Sequence, residues 1–526
     1  MLARNGEGLV AAEENTESTS QQPPILRRRR NSVASPLLRL PRELILNIFE
    51  RAIEPDDDDD SISRMPPEGG PAILLLTAIC HELREVGITT PNLWGRVDLT
   101  VPSLANLFLQ RCNYDPHVLE KTPSAYEKEH SSRTEDPNIE AVWSQLEGRA
   151  FKNLRSLVFR GTSSEFGRRV APILQTATNL SSLELRQTSI SSPPRLSWYL
   201  SSPNPHFSIL RLYGFPISWT SPLLRNLTQL TLDLGHCLPP SEYPPIETFL
   251  TTLANCPELE SLKLVHAGPG PPNGHRYNCD VVVQLRRLRE LFLDFEDAST
   301  VGCILSHIKH PESTRLKVEM SVGRGSELSE TISQVLLCAG TEILQRFQRA
   351  SSLTIHLCRH TSWFSANKST IRCRHWGLGL HPQALRRTVH KFLEFIGRDI
   401  ILLSVEAHHV DLTNEIWEIL LHAYPQLEWI VWQCGREGQN PGDIDPFIAA
   451  FSLPLEGGLV CSKLAHLELP RGALAQDSSA TSLKDALTER DARGMRLESI
   501  GLSDASQVED GLTVLEQFRD LVDMLW

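Results

Sequence analysis

One short pattern recurs down most of this chain and restricts its folds more than any other feature. An apolar residue is followed after two positions by a second, and after one more position by a third. The series begins at Leu154/Leu157/Phe159 and Leu180/Leu183/Leu185, then Phe207/Leu210/Leu212 and Leu227/Leu230/Leu232. Leu259/Leu262/Leu264 and Leu288/Leu291/Leu293 continue it, and Leu316/Val318 and Leu353/Ile355 are shorter copies. Ile400/Leu403/Val405, Leu427/Ile430/Trp432, Leu464/Leu467/Leu469 and Leu497/Ile500/Leu502 close it. The last two members of each triplet stand two apart, the spacing of side chains on one face of a strand. A period of roughly 20 to 37 residues is that of stacked units, each giving one short strand to a shared sheet.

Ordinary α/β sequence also produces apolar triplets by chance, so the junctions between them matter. Leu253-Ala254-Asn255-Cys256-Pro257-Glu258-Leu259-Glu260 and Leu421-His422-Ala423-Tyr424-Pro425-Gln426-Leu427-Glu428 are nearly alike. In each, a helix is predicted to end before Pro and a strand to begin two residues later. Between strands the spacing turns helical: Phe166, Val170, Ile173, Leu174 and Ala177 would all face inward on one helix. Repetition at both levels favours an array.

The N-terminal part reads differently. Residues 1–35 are rich in Glu, Ser, Gln and Asn and end near Arg27-Arg28-Arg29-Arg30. So little apolar surface cannot offset the entropy of ordering, which predicts a disordered tail. The Arg run has the composition of a nuclear signal, and Arg29-Arg30-Asn31-Ser32 that of a basophilic kinase site. An unstructured basic stretch is the plainer reading. Leu40-Pro41-Arg42-Glu43 then looks like a helix start, with Pro at the first helical position and Glu against the N-terminal dipole. Leu44, Ile45, Ile48, Phe49 and Ala52 form its apolar stripe, and Pro55 with Asp56 to Asp60 ends it. The aspartate run is a solvated acidic loop, since calcium loops intersperse their ligands with turn residues. A second helix is predicted over Ala72 to Ile88, with Ile73, Leu76, Ile79, Cys80, Leu83 and Val86 on one face. Leu93-Trp94 returns to the core after Thr89-Thr90-Pro91-Asn92.

Composition sets the outer limits. The chain of 526 residues is 40% hydrophobic and 22% charged, with a formal net charge of -12. Phosphate binding needs a Lys/Arg excess, so nucleic acid is not an expected partner. The longest apolar run, about Ala72 to Cys80, falls far short of the roughly 20 residues that span a bilayer. No membrane association is expected, and the N-terminus lacks the apolar stretch of a secretory signal. Eleven scattered cysteines suit reduced thiols, hence cytoplasm or nucleus.

Leu40-Pro41-x-Glu43-Leu44-Ile45-x-x-Ile48-Phe49, then Ile79-Cys80-x-x-Leu83-Arg84, then Pro91-x-Leu93-Trp94, resembles the F-box over residues 36–98. The likeness is greatest to fungal F-box-like sequences, which often insert a variable loop where residues 55–71 stand and follow the box with a Leu-rich stretch such as Leu104 to Arg111. Leu83 stands where the family usually has Trp, and Gly87 is a weak helix former. The triplet region resembles leucine-rich repeats, without the usual Asn after each strand. Thr162, Thr188, Phe215, Gly235 and Ala267 occupy those positions.

These resemblances imply an α/β chain: a disordered tail, a three-helix F-box, a 99–150 linker, and an irregular leucine-rich-repeat solenoid with a parallel sheet over 151–526. They imply the substrate-recognition subunit of an SCF-type cullin ubiquitin ligase. It would bind a Skp-type adaptor of the cullin ligase core through Leu40, Pro41, Leu44, Ile45, Ile48, Phe49, Ile79 and Cys80. An unknown target protein would meet the non-Leu strand positions Arg160, Arg186, Arg211, Tyr213, Asp233, Lys263 and Asp294, whose mixed sign suits a protein rather than a polyanion. The alternative is a repeat scaffold whose F-box no longer recruits a ligase. No phosphate loop, nucleophile elbow or H-E-x-x-H motif is found, so neither catalysis nor a cofactor is expected. Cys358-Arg359-His360 with Cys373-Arg374-His375 offers four soft ligands. One intervening residue per pair is tighter than zinc sites use, so a loop after a strand is preferred and no metal is expected.

Overall fold

A computed structural model of the chain describes residues 36–53, 72–121, 137–188, 206–235, 243–270, 279–322, 327–358, 360–375, 382–408, 410–434, 444–455, 458–470, 473–474, 476–503 and 515–525. The expectations for residues 1–35, including Arg27 to Arg30, and for Asp56 to Asp60 lie outside the described residues. The fold is mixed α/β with a large, mostly parallel sheet. It divides into two compact units, Met1–Glu184 and Leu185–Trp526.

The first unit opens with α1 (Arg42–Ile53), α2 (Ala72–Ile79) and α3 (His81–Ile88), then a 3₁₀ turn at Pro91–Trp94. The single helix predicted over 72–88 is two helices. Cys80 is extended (φ -152, ψ 171) and its sulfur accepts from the Leu83 amide, so it caps α3 rather than continuing α2. Gly87 has a reason beyond helix propensity. A Cβ there would sit 2.4 Å from the Thr77 methyl, so glycine lets α3 lie close against α2. The Gly87 carbonyl also accepts a 2.7 Å bond from the buried Trp94 indole. Trp94 packs edge-on to Phe108 at 5.0 Å.

The 99–150 stretch is corrected from linker to structure. It holds α4 (Pro102–Arg111), β2 (Val118–Lys121) and α5 (Pro137–Leu146). β2 pairs in parallel with β1 (Arg96–Asp98) on one side and β3 (Ser156–Gly161) on the other. β2 lacks a leucine triplet, which is why periodicity passed over it. The predicted inward helix holds: Phe166, Val170, Ile173, Leu174 and Ala177 are all buried, with a π-type turn at Phe166–Val170 leading into α6 (Ala171–Thr176). Beneath it lies a charged knot. Glu165 pairs with Lys121 and with Arg169, and Arg169 also reaches Glu140 and lies over the Trp143 ring. Burial alone would raise the Glu165 carboxyl, but bonds from Lys121 and Thr162 outweigh it and hold it below the ordinary range.

β4 (Ser182–Gln187) carries the boundary between the units. In the second unit the strands of the large sheet are β5 (Ile209–Tyr213), β6 (Gln229–Asp233), β7 (Ser261–Val265), β8 (Glu290–Phe295) and β9 (Arg315–Val322). They continue through β10 (Ser352–Cys358), β11 (Thr361–Ala366), β12 (Ser369–His375), β13 (Leu402–His408) and β14 (Trp429–Cys434) to β15 (His466–Leu469), β16 (Leu497–Leu502) and β17 (Val522–Leu525). The triplets pair in register: Leu210, Leu230, Leu262, Leu291 and Leu316 form one ladder, and Leu212, Leu232, Leu264, Leu293 and Val318 the next. Each of these side chains is buried. The alternate positions form a second, half-open face.

One-strand-per-unit order breaks after β9. Its sheet neighbour is β12, and β10 lies instead beside β13. β11 sits between them, antiparallel to both, and joins β12 through a turn at Asn367-Lys368 with Asn367 at φ 52. The connection from β9 to β10, through α9 (Leu328–Cys338) and α10 (Thr341–Gln348), therefore passes two strand positions, and the meander fills them backwards. At the two like junctions, α7 (Ile246–Ala254) and α12 (Asn414–Ala423) do end before Pro. The strands pair from Ser261 and Trp429, four residues after each Pro rather than two. Helix α12 contributes Trp417, packed 5.0 Å from Trp432 and 5.0 Å from Phe447 of α13 (Asp445–Phe451). Near the C-terminus, Arg490 of α14 (Asp477–Ala492) is buried and donates to the carbonyls of Val460 and Cys461 at 2.8 and 2.7 Å.

No described helix is long and apolar enough to cross a membrane.

Candidate functional site

In the first unit, α1 and α2 sort their apolar residues into two sets. Ile45 and Phe49 are 6% and 1% exposed and join Ile73, Leu83, Leu93 and Trp94 in the core. Leu44, Ile48, Leu75 and Ile79 are 46%, 39%, 59% and 65% exposed. Leu44 and Ile48 lie one turn apart on α1, so their side chains share a face. Leu75 and Ile79 do the same on α2. Two helical faces thus present large aliphatic groups to solvent in a unit that buries their neighbours, which is how docking surfaces are built. Pro41 is exposed at the start of α1, while Leu40 and Cys80 are half-buried.

The predicted anchors therefore divide. Leu44, Ile48, Ile79 and Pro41 are on the surface. Ile45 and Phe49 are corrected to core residues, because α1 turns that side of its stripe toward α2 and the Pro91–Trp94 turn. Leu83 is buried too, so this side chain acts on packing. Leu75 was missed: it lies outside the motif, and only the break at Cys80 shows that α2 has a face of its own.

The half-open face of the second unit's sheet is the other candidate surface. Arg211, Tyr213, Asp233 and Lys263 are half-buried there, as is Arg186, whose guanidinium stacks 3.9 Å from the Tyr213 ring. Arg211 donates to Gln229 at 2.8 Å. Lys263 and Lys317 bracket the Phe292 ring at 5.0 and 4.8 Å. Lys317 and Arg372 reach Glu319 at 2.9 and 3.3 Å. Burial raises the Glu319 carboxyl, but these two cations prevail and hold it below its usual value. Asp294 is corrected from exposed to buried: Arg374 of β12 covers and pairs with it. Burial pushes its carboxyl up, and Arg374 and His266 only partly offset that. Arg160 belongs to the first unit, on β3, 4.0 Å from Glu184. This face is a lattice of paired charges and rings.

Two groups on it were not anticipated. On the β14–β17 side, Trp429 stacks on His466 with ring centres 3.6 Å apart, and His466 Nδ1 lies 2.8 Å from the Ser499 hydroxyl. With Glu498, Asp523 and Met524 they line a shallow hollow of about 470 Å³. On β10 and β13, His356 Nδ1–H donates to Glu406 at 2.8 Å, and His408 stands two residues beyond Glu406 on the same face. One ligand atom from each of His356, Glu406 and His408 falls within 4.8 Å of the others. The cysteines weighed for zinc, and set aside from the sequence, fall on opposite faces of the sheet. Cys373 is buried on the core face, whereas Cys358 follows His356 on the opposite one. Burial drives the Cys373 thiol far above its ordinary value, opposing the thiolate a metal needs.

The chain matches no protein-family model and no curated protein.

Proposed function

We propose that this chain is the substrate-receiving subunit of an SCF-type cullin ubiquitin ligase, with an F-box in residues 36–98 and an irregular leucine-rich-repeat array beyond. The observation that carries this reading is the exposed set Leu44, Ile48, Leu75 and Ile79 on α1 and α2, in a helical segment that bears the F-box pieces in order. An adaptor groove takes such faces by covering aliphatic side chains, each worth about 1.5–3 kcal/mol when fully buried. A few such anchors dominate affinity.

The leucine ladders of β5–β9 support the repeat reading, and the meander β10–β12 makes the array irregular. The target protein meets the half-open face, where Arg186, Tyr213, Lys263 and Phe292 offer rings backed by cations. Aromatic and Arg side chains are the residues that most often act as interface anchors. The chain itself positions the target, and ubiquitin transfer occurs elsewhere in the complex.

Capture of tagged full-length chain from cells tests this. Wild type retains Skp-type adaptor and cullin, while the double variant Leu44→Asp/Ile79→Asp retains neither. Wild type that retains neither protein removes the ligase reading and leaves a repeat scaffold.

A further inference from the structure

We infer that His356, Glu406 and His408 form a binding site for a borderline-soft divalent ion of the zinc class on the half-open face of the second unit. The site owes its existence to strand register. β10 and β13 pair in parallel with His356 opposite Glu406, and Cys358 opposite His408. Side chains two apart on a strand share a face, so these positions project together although they lie some 50 residues apart in sequence. Two imidazoles and a carboxylate are a donor set that suits zinc.

The geometry is close to that of a loaded site. A tetrahedral ion with bonds of about 2.0–2.2 Å holds neighbouring donors about 3.3–3.6 Å apart. His356 Nδ1 and Glu406 Oε2 are 2.8 Å apart and the whole set lies within 4.8 Å, so small side-chain rotations suffice. The ion takes the place of the proton now shared between Nδ1 and Oε2, and that proton moves to His356 Nε2. The His356 ring is already oriented. It stacks on Trp363 of β11 with centres 5.0 Å apart and planes at 12°, and meets His408 at 4.8 Å. The stack fixes the plane of the ring that presents Nδ1 to the cluster. The pair His356–Glu406 is also partly shielded, at 17% and 26% side-chain exposure.

A plain ion pair across two strands would need one imidazole and one carboxylate. The second imidazole, brought into the same cluster from β13, is what points to an ion. Three protein ligands leave a fourth position for water or for a donor from a bound partner. The inference stands apart from the ligase reading and does not depend on it.

The test is zinc titration by calorimetry on metal-stripped full-length chain, with cobalt(II) absorption as a second readout. Wild type takes up one ion with a tetrahedral cobalt spectrum. Glu406→Gln and His408→Ala each weaken binding by at least about tenfold, the lower bound for losing even a supporting residue of a metal site. Cys358→Ser, the control for thiol-driven uptake, leaves affinity within about threefold, well inside that bound. Melting curves without metal establish that the variants fold, and the near-isosteric Glu406→Gln decides the matter if the histidine variant does not. Absence of stoichiometric uptake by wild type, unchanged affinity in Glu406→Gln, or abolition by Cys358→Ser would each overturn the assignment.

Discussion

Phe49 and Ile79 belong to the same apolar motif yet should respond in opposite ways to truncation. Phe49 is 1% exposed and fills the space between α1 and its neighbours, so Phe49→Ala removes a whole ring from a packed core. Such changes cost about 3–5 kcal/mol, combining lost transfer energy and the cavity left behind. Ile79 ends α2 at 65% exposure, so Ile79→Ala withdraws little buried surface and should cost under about 1 kcal/mol. Two units in one chain make a single melting curve hard to assign, so the assay is amide hydrogen exchange over 42–94. At about 1.4 kcal/mol per tenfold, Phe49→Ala should speed exchange of the slowest α1–α3 amides by roughly two to three and a half decades. Ile79→Ala should change them by less than about one decade. Equal effects from the two substitutions would refute the division of this motif into core and surface.

Other consequences are equally specific. Arg490→Met keeps the stem but removes both donors to the Val460 and Cys461 carbonyls. At about 1–3 kcal/mol per buried group left unpaired, hydrogen exchange of the slowest second-unit amides should show a loss of roughly 2–6 kcal/mol. A loss below 1 kcal/mol, on the order of an exposed substitution, would contradict the role given to the guanidinium. Gly397→Ala would put a Cβ 1.8 Å from the Gln348 carbonyl oxygen, which backbone cannot yield cheaply. Destabilisation of about 3 kcal/mol or more is expected in the same measurement. Glu165 has its carboxyl held below the usual value, so its ion pairs stabilise fully above the unfolded pKa of 4.5 and fade as pH falls through the lower folded value. Glu165→Gln should therefore weaken the first unit at neutral pH, with the difference from wild type shrinking below pH 4.5. A gap that stays constant down to pH 2, about two and a half units below the unfolded value, would argue against that linkage.

What could be read from the sequence follows from which forces act locally. The leucine triplets mark strands because alternation and burial coincide, and those of β5 to β9 pair in register. β11 and β12 escaped because their core-facing positions include Ser362, Ala366, Ser369 and Cys373, which are too small or too polar to look like a strand face. The break at Cys80 escaped because the apolar spacing of 72–88 runs on in phase across it, while the interruption lies in one residue's backbone angles. Asp294 was read as exposed from alternation alone. Its cover, Arg374, comes from 80 residues away through a pairing that periodicity does not encode. The same holds for His356 and Glu406, whose meeting depends on β10 lying beside β13.

The most direct measurement is calorimetric titration of purified full-length chain with purified Skp-type adaptor. The account predicts a one-to-one complex for wild type and for Arg490→Met. It predicts a loss of at least about 100-fold, or about 2.8 kcal/mol, for Leu44→Asp/Ile79→Asp. No complex with wild type, or unchanged affinity in the double variant, would contradict it.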